Sequence, residues 1–481
     1  VKLLALRCDL IVEQPRDIIV DILEYFDPDL VYIPREKIDM RVVSRIQRTC
    51  DLPVIHPRGD RDPIHTESVN GIMVAFSRSV EFICGASTTN ETEIPEDAEY
   101  IVCDDLTMST DAVAMAATVE GLDHLARYQS KVDDDVTFLT GGLEASYDHI
   151  WEVTVDGANV QVPVRGLAPL RRTGSPEITC VTCDANGHMS VTSAPSDKFG
   201  LQALSEVGTT TARRLKENGY STRADIAASE IKDLQTIHGI GDTTAHTIRQ
   251  SALALAEGKV VQRSKTPPPA QNHTPLFIDI ETDGLSPTII WLIGLYDPAR
   301  EQYIDFIDTE PSRDDPGKAT REFITWLAAE YDRPSLITWN GYNFDYKHLT
   351  RFITRYAQAY TEYWDESVFQ YDLYDWTVKK QNAMLPGRTN RLEDVAEGLG
   401  CSRDAATMAL DGRSLARKIH RILQAPNRSH GIDWELARAY CRADVLELAE
   451  IYEAIIEATP QPTESESTVT ETTTQAGLMD F

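Results

Sequence analysis

"FIDIETDGL", Phe277–Leu285, sets two carboxylates, Asp279 and Glu281, two residues apart inside an apolar run. In a strand, residues i and i+2 point to one face, so these carboxylates stand side by side and Ile278 and Ile280 take the opposite face. Uncompensated carboxylates inside a core are costly, so the pattern calls for positive charge. Two aligned oxygen donors suit a hard cation, Mg2+ or Mn2+.

Two later stretches supply more oxygen donors. In "LITWNGYNFDYKHL" (336–349) an apolar strand ends at Asn340-Gly341, and Asp345 opens a predicted helix. In "LARAYCRADVLELAEIY" (436–452), Tyr440 and Asp444 lie at i and i+4 and share one helix face. Four carboxylates around two cations form an apparatus for attack of water on a phosphodiester, and a tyrosine one turn from the last aspartate can orient that water. Taken singly, each piece has an ordinary reading: Asp283-Gly284 as a turn, Asp345 as a helix cap, Asp444 as a solvated helix residue, Asp372 as a structural hydrogen-bond partner. The conjunction in chain order outweighs them.

The stretches "FIDIET", "NGYNFD" and "YCRAD" resemble, in the same order, the motifs of DEDDy exonucleases of the RNase H-like superfamily, as found in family B DNA polymerase proofreading domains. The segments "DLYDW" (372–376) and "LEDVAEGLG" (392–400) fit the stand-alone YprB-type family. The resemblance implies a mixed sheet with flanking helices over 276–458. It also implies two Mg2+ or Mn2+ ions held by Asp279, Glu281, Asp345 and Asp444, Tyr440 beside them, and 3'-5' hydrolysis of DNA in repair or replication. A ribonuclease, or a non-catalytic DNA-binding adaptor, is the alternative.

Upstream, "SEVGTTTARRLKENGYST" and "QTIHGIGDTTAHTIRQSA" are two versions of one pattern: an apolar residue, a glycine turn, then a helix opening on Thr and Ala. Glycines let the backbone turn tightly, and free N–H groups at the helix start can hold a phosphate. The region 200–257 resembles a tandem helix-hairpin-helix domain, which binds DNA without reading sequence. Gly208, Gly239 and Gly241 would be its hairpin residues, with Thr243, Thr244 and Arg249 nearby. The first copy, "VGTTT", lacks the second glycine and is expected to be the weaker binder. A structural helical spacer is the plain alternative.

Composition bounds the rest. At 481 residues the chain exceeds one ordinary core, and 42% hydrophobic residues suffice for globular folding. The formal charge is −30, and Lys makes up only 13 of 46 basic residues, a balance that resembles proteins of salt-in halophiles. Such a chain repels nucleic acid over its surface at large, so contact with DNA must rest on metals, backbone amides and local geometry. Scattered cysteines suit a reducing cytoplasm, and no run approaches a membrane span, so no membrane partner is expected.

The first 195 residues alternate apolar and amphipathic stretches up to about 145, which predicts an α/β domain. "LLAL", "LVYI", "VNGIMVAF", "VEFICGA" and "EYIVC" read as strands; "PRDIIVDILEYF" and "DMRVVSRIQRTC" read as helices. "IWEVTVDGANVQVPV" and "EITCVTCDANGHMSVTS" read as hairpins. Cys180, Cys183 and His188 have zinc-knuckle spacing, but no fourth ligand stands near, so the hairpin reading is preferred. The order "ALRCDLI", "PDLVYIPREKID", "LPVIHPRGDRD", "FLTGG" faintly resembles a calcineurin-like metallophosphoesterase without its metal-binding histidines and asparagine, which implies a degenerate, non-catalytic copy; the alternative is an α/β domain of unassigned function, for partner binding or assembly.

A Pro-rich linker is expected over 258–275, and a disordered tail over 459–481. The tail ends in "QAGLMDF", where Gln475, Leu478 and Phe481 resemble the PCNA-interacting motif and imply docking on a sliding clamp. The fold class expected overall is α/β multidomain: an N-terminal α/β domain with β hairpins, a central all-α helix-hairpin-helix module and a C-terminal RNase H-like domain.

Overall fold

The computed structural model describes residues 1–461 apart from 13, 58–62, 84–93, 96, 112–115, 133–135, 171–174, 266–267, 269–272 and 425–431. They fall into two compact units, one over 1–200 with 408–411, the other over 201–407 and from 412 on.

The first unit is built on two sheets. The first sheet contains β1 (Lys2–Ala5), β2 (Leu30–Tyr32) and β3 (Val54–Ile55), with α1 (Arg16–Phe26) and α2 (Met40–Gln47) between them in sequence. The second contains β4 (Ile64–Val69), β5 (Ile72–Ser77), β6 (Tyr100–Val102), β7 (Thr137–Glu144), β8 (Asp148–Val155) and β9 (Ala158–Ala168), with α3 (Leu122–Gln129) before β7. The last hairpin, β10 (Glu177–Cys183) with β11 (Met189–Pro195), returns to the first sheet beside β1.

Alternation of side chains across each strand sorts the core into layers. Leu3, Ala5, Leu30 and Tyr32 from one sheet pack with Val74, Phe76, Tyr100 and Leu139 from the other. Leu4, Val31 and Ile178 pack outward on Ile19, Ile22, Val43 and Ile46 of α1 and α2, and Ile101, Phe138 and Val164 pack on Leu125 and Ala126 of α3. Helices therefore cover both outer faces of a two-sheet sandwich.

Most of the expected elements are found here, with two changes. "VNGIMVAF" is not one strand: Asn70 and Gly71 both adopt positive φ and turn β4 into β5. "VEFICGA" begins with a short helix, Val80–Ile83, where a strand was expected, and its remaining residues lie outside the described ones. Cys180 packs on the helix side of its sheet and Cys183 between the sheets. Residues three apart in a strand face opposite ways, so one zinc ion cannot take both thiols, and burial pushes each up to about 12. His188 instead pairs through Nδ1 with Asp184, 3.0 Å away across the turn.

The second unit opens with four helices, α4 (Thr209–Glu217), α5 (Arg223–Ala227), α6 (Ile231–Gln235) and α7 (Asp242–Glu257), around a core of Leu215, Ile226, Leu234, Ile240 and Ile248. Beyond α7, the short strand β12 (Val261–Gln262) lies within the stretch expected as linker. A five-stranded mixed sheet follows: β13 (Thr274–Thr282), β14 (Ile290–Asp297), β15 (Gln302–Ile307), β16 (Pro334–Thr338) and β17 (Phe369–Asp372). Its spatial order is β15-β14-β13-β16-β17, with β13 antiparallel to β14 and parallel to β16.

Helices α8 (Lys318–Glu330) and α9 (Asp345–Tyr356) cover the face that carries Ile278 and Ile280. The other face, with Phe277 and Ile337, packs on Val445, Leu448 and Ile451 of the long C-terminal helix. Strand β18 (Ala383–Met384) pairs with β12, which ties the four-helix module to the sheet domain. Helices α10 (Leu392–Gly398), α11 (Gly412–Gln424) and α12 (Trp434–Glu457) complete the unit.

Candidate metal centre and nucleic-acid interface

Strand β13 delivers Asp279 and Glu281 to one face, and α12 crosses that face. The crossing is close because Asp279 pairs in register with Gly294 of β14. A Cβ at Gly294 would stand 2.5 Å from the Cys441 sulfur and 3.0 Å from the Tyr303 hydroxyl, so glycine is required. With Cys441 seated there, its thiol 3.9 Å from Asp279 Oδ2, the next turn of α12 brings Asp444 over the pair. Carboxylate oxygens of Asp279, Glu281 and Asp444 lie within 4.8 Å of one another, Glu281 and Asp444 buried and Asp279 half-buried.

Asp345 is not within that triad. Its placement depends on the turn before α9. Asn340 adopts a φ of +65°, which Asn tolerates better than most residues. A Cβ at Gly341 would stand 2.1 Å from Thr338 Oγ1. The buried Asp372 carboxylate accepts the N–H groups of Asn340 (2.9 Å) and Tyr342 (3.2 Å) and so fixes the turn. Asp345 then starts α9 with its carboxylate hydrogen-bonded to its own N–H and that of Ile280, close enough to Asp279 to raise the latter's pKa. Asp372 is thus a structural partner that holds the turn leading to Asp345.

The electrostatics follow from burial. Asp279 is pushed well above the usual carboxylate range by burial, then by the charges of Asp444, Glu281 and Asp345. Burial also pushes Asp345 and Asp444 up to about 7. Tyr440, one turn before Asp444, is buried and pushed upward by burial and then by Asp444, Glu393 and Glu281, so its hydroxyl stays protonated and can donate. A Cβ at Gly412 would lie 3.8 Å from Glu281 Oε2 and 3.9 Å from that hydroxyl, which places Glu281 and Tyr440 on one wall.

Arg403 is a member of the site that no sequence motif marks. From the loop after α10 its guanidinium ion-pairs with Asp444 and Glu447 and lies 5.4 Å from the centre of the Tyr440 ring. Glu447 was legible in principle, three residues beyond Asp444 on one helix face. Arg403 was not, because nothing local distinguishes a loop arginine 41 residues from its partner. The three clustered oxygen donors of Asp279, Glu281 and Asp444, two of them with raised pKa, form a donor set that fits Mg2+ or Mn2+.

In the helical module the two copies have the same backbone. Gly208 and Gly241 both precede their helices with φ −86° and ψ 179° and without a side-chain cap. A Cβ at either would meet nothing within 4 Å, and the residues that open the helices, Thr209 and Thr210 of α4 and Asp242 and Thr243 of α7, are exposed. Gly239 has φ +87°, and the corresponding residue of the first copy is Glu206, held at +65°. The first copy therefore keeps the glycine that opens the helix and lacks the one before it.

Thr243 is exposed, as is Ser229's neighbour Glu230 across the module, and Thr244 is partly buried in the first turn of α7. Arg249 is placed differently from the other candidates: its Nε donates to the Ser229 carbonyl (2.8 Å) and braces α7 internally. The clamp-docking candidates Gln475, Leu478 and Phe481 lie outside the described residues.

Comparison with known families agrees with this geometry. A family model for the RNase H superfamily matches residues 276–456, and one for the SAM-like helix-hairpin-helix tandem matches residues 200–252. No curated protein matches the chain significantly. The chain carries an RNase H superfamily domain preceded by a tandem helix-hairpin-helix domain. The first belongs to a superfamily made up largely of nucleases, and the second implies DNA binding. No helix among the described residues is long and apolar enough to cross a membrane.

Proposed function

We propose that the chain is a metal-dependent 3'-5' exonuclease of the DEDDy type, similar to the YprB-type family, that acts on DNA in repair or replication. The observation that carries this reading is the convergence of Asp279, Glu281 and Asp444 within 4.8 Å, with Asp345 against the same strand. These four would hold two divalent ions. Bound ions of this kind lower the pKa of a water and stabilise a leaving oxygen. Tyr440, protonated and beside Glu281, orients the attacking water. The helix-hairpin-helix domain grips backbone phosphates through the N–H groups after Gly208 and Gly241. The tail docks on a sliding clamp through Gln475, Leu478 and Phe481. The N-terminal unit takes no part in the metal chemistry.

The test is direct. Purified protein in high salt with Mn2+ is given single-stranded DNA, duplex DNA and RNA, labelled at either end. Mononucleotides released from the 3' end of DNA, and lost in Asp279→Ala/Glu281→Ala, are expected. Activity that survives the double substitution overturns the assignment.

One observation favours a second reading. Arg403 already sits on Asp444, as a cation substitute would in a non-catalytic adaptor. Calorimetric titration with Mn2+ separates the two readings, because an adaptor of that kind takes up no metal at these residues.

A further inference from the structure

Beside the acidic strand, on the side of α9, lies a pocket of about 430 Å³ whose rim is cationic. It is lined by Pro287, Thr288 and Ile289 from the loop after β13, by Arg313 and Pro316, and by Arg351, Arg355 and Tyr356 of α9. All three arginines are exposed. Elsewhere this acidic chain readily pairs its arginines with carboxylates: Arg300 with Glu330, Arg321 with Asp315, Arg403 with Asp444. Among the described residues, Arg313, Arg351 and Arg355 make no such pair. Arg351 donates to the Pro287 carbonyl and lies 5.0 Å from the centre of the Phe352 ring, and Arg355 lies 5.2 Å from that of Tyr356. These interactions orient the guanidinium groups without neutralising them. The acids that follow Arg313 in sequence are Asp314 and Asp315, and the latter is taken by Arg321.

The position is informative. Helix α9 begins at Asp345, and Arg351 and Arg355 follow six and ten residues later. At 1.5 Å per residue they stand roughly 9 and 15 Å along the axis from Asp345. Arg351 and Arg355 are four apart, so they project from one side of the helix. The pocket floor is the loop that directly continues the acidic strand, held by Asp283, which accepts the Thr288 N–H at 2.7 Å.

We propose that Arg313, Arg351 and Arg355 form a phosphate-binding subsite for single-stranded nucleic acid and hold the backbone a few nucleotides from the bond to be cleaved. The subsite rests on the nuclease reading for its purpose but not for its chemistry. Uncompensated guanidinium groups recognise phosphate oxygens bidentately, and the rings of Tyr356 and Phe352 add flat apolar surface at the wall. DNA and RNA share the recognised group.

The test uses the full chain carrying Asp279→Asn, so that bound strands persist, with and without Arg313→Glu/Arg355→Glu. This pair of exposed sites leaves the Arg351–Pro287 bond intact. Fluorescence anisotropy is measured for DNA and RNA strands of 2, 6 and 12 nucleotides across a salt series. The expected result is weakening that grows with length, from little on the dinucleotide to about tenfold or more on the longest strand. The slope of log affinity against log salt should fall by about 0.7 for each phosphate that is no longer neutralised. Unchanged affinity and slope for both nucleic acids overturn the subsite, as does tight binding of a free mononucleotide with no dependence on length. Wild-type turnover of thymidine 5'-(p-nitrophenyl phosphate), which has no strand to bind, reports the metal centre separately. Turnover without arginine-dependent binding overturns only the subsite. Arginine-dependent binding without turnover supports the subsite and overturns the nuclease reading.

Discussion

Each unit gathers carboxylates where loops leave its strands, and the two settle the charge differently. In the sheet domain, Asp279, Glu281 and Asp444 cluster with Asp345 against the same strand, Arg403 pairs with Asp444, and Asp279, Asp345 and Asp444 are pushed up together. In the N-terminal unit the corresponding acids have their own donors. Asp9, after β1, pairs with Arg7 and Lys37, and Asp105, after β6, pairs with Arg35. Asp39 caps α2 and pairs with Arg41. Asp104 is pushed up by burial, yet it accepts the N–H groups of Arg35 (2.6 Å) and Gly141 (2.8 Å). Buried acids clustered within reach of one another and pushed up together suit a metal, whereas acids paired one by one with their own basic residues are already compensated.

The largest expected effect breaks the comparison outright. Glu281→Gln and Asp444→Asn should each lower metal-dependent turnover by orders of magnitude, while Asp105→Asn, whose carboxylate is already paired, leaves it unaltered. Equal losses at the two places would show that both clusters serve one reaction.

Next comes Arg403→Gln. Removing one partner of a buried ion pair costs about 3–5 kcal/mol, because the other charge is left behind. Here Asp444 and Glu447 both lose their counter-charge, so urea unfolding of the metal-free protein should show a loss of that order. Mn2+ binding should tighten in the same variant, since the ion no longer displaces a guanidinium from Asp444. Weaker Mn2+ binding would mean that Arg403 arranges the site and does not compete for it.

The pH dependence sharpens the same point. Asp345 and Asp444 titrate near 7 in the folded, metal-free protein and near 4 when unfolded. A group raised on folding contributes its stability in full below the unfolded value and loses it as pH climbs through the folded one. Between about pH 4 and 7 each carboxylate therefore costs roughly 1.4 kcal/mol per pH unit. In EDTA the melting temperature should fall as pH rises from about 5 to about 8. Mn2+ should restore it most at the upper end of that range, and Asp444→Asn should flatten the trend. A melting temperature in EDTA that rises over this range would contradict the burial argument.

Much of the candidate metal site was legible because it is local. A strand fixes Asp279 beside Glu281, a helix fixes Tyr440 beside Asp444, and Asn340-Gly341 marks the turn before Asp345. What remained hidden depends on packing between distant segments. Gly294 matters only because Cys441 packs on it, and Arg403 reaches Asp444 from a separate loop. The arginine pocket beside α9 gathers residues from four stretches that share no motif. In the first unit many strands and helices were readable one by one, but "VNGIMVAF" hides the Asn70-Gly71 turn, "VEFICGA" offers apolar residues that suit a helix turn as well as a strand, and β4 and α3 were not expected. The stacking of two sheets between helices was not readable, since which face meets which sheet is decided by packing alone.

Arg35→Ala carries the smallest expected effect and bears most closely on the comparison. The Arg35 side chain is 56% exposed and its partner Asp105 is 25% exposed. Exposed ion pairs contribute about 0–1 kcal/mol, since water screens them and two long side chains must be held in place. Asp104 also loses nothing, because it is bonded by the backbone N–H of residue 35, which alanine retains. Urea unfolding should therefore place Arg35→Ala within about 1 kcal/mol of the parent, with strand hydrolysis unaffected. A loss as large as that expected for Arg403→Gln would mean that the N-terminal acids depend on a cation as much as the metal centre does. The N-terminal loops would then be a second cation site and no longer a compensated one.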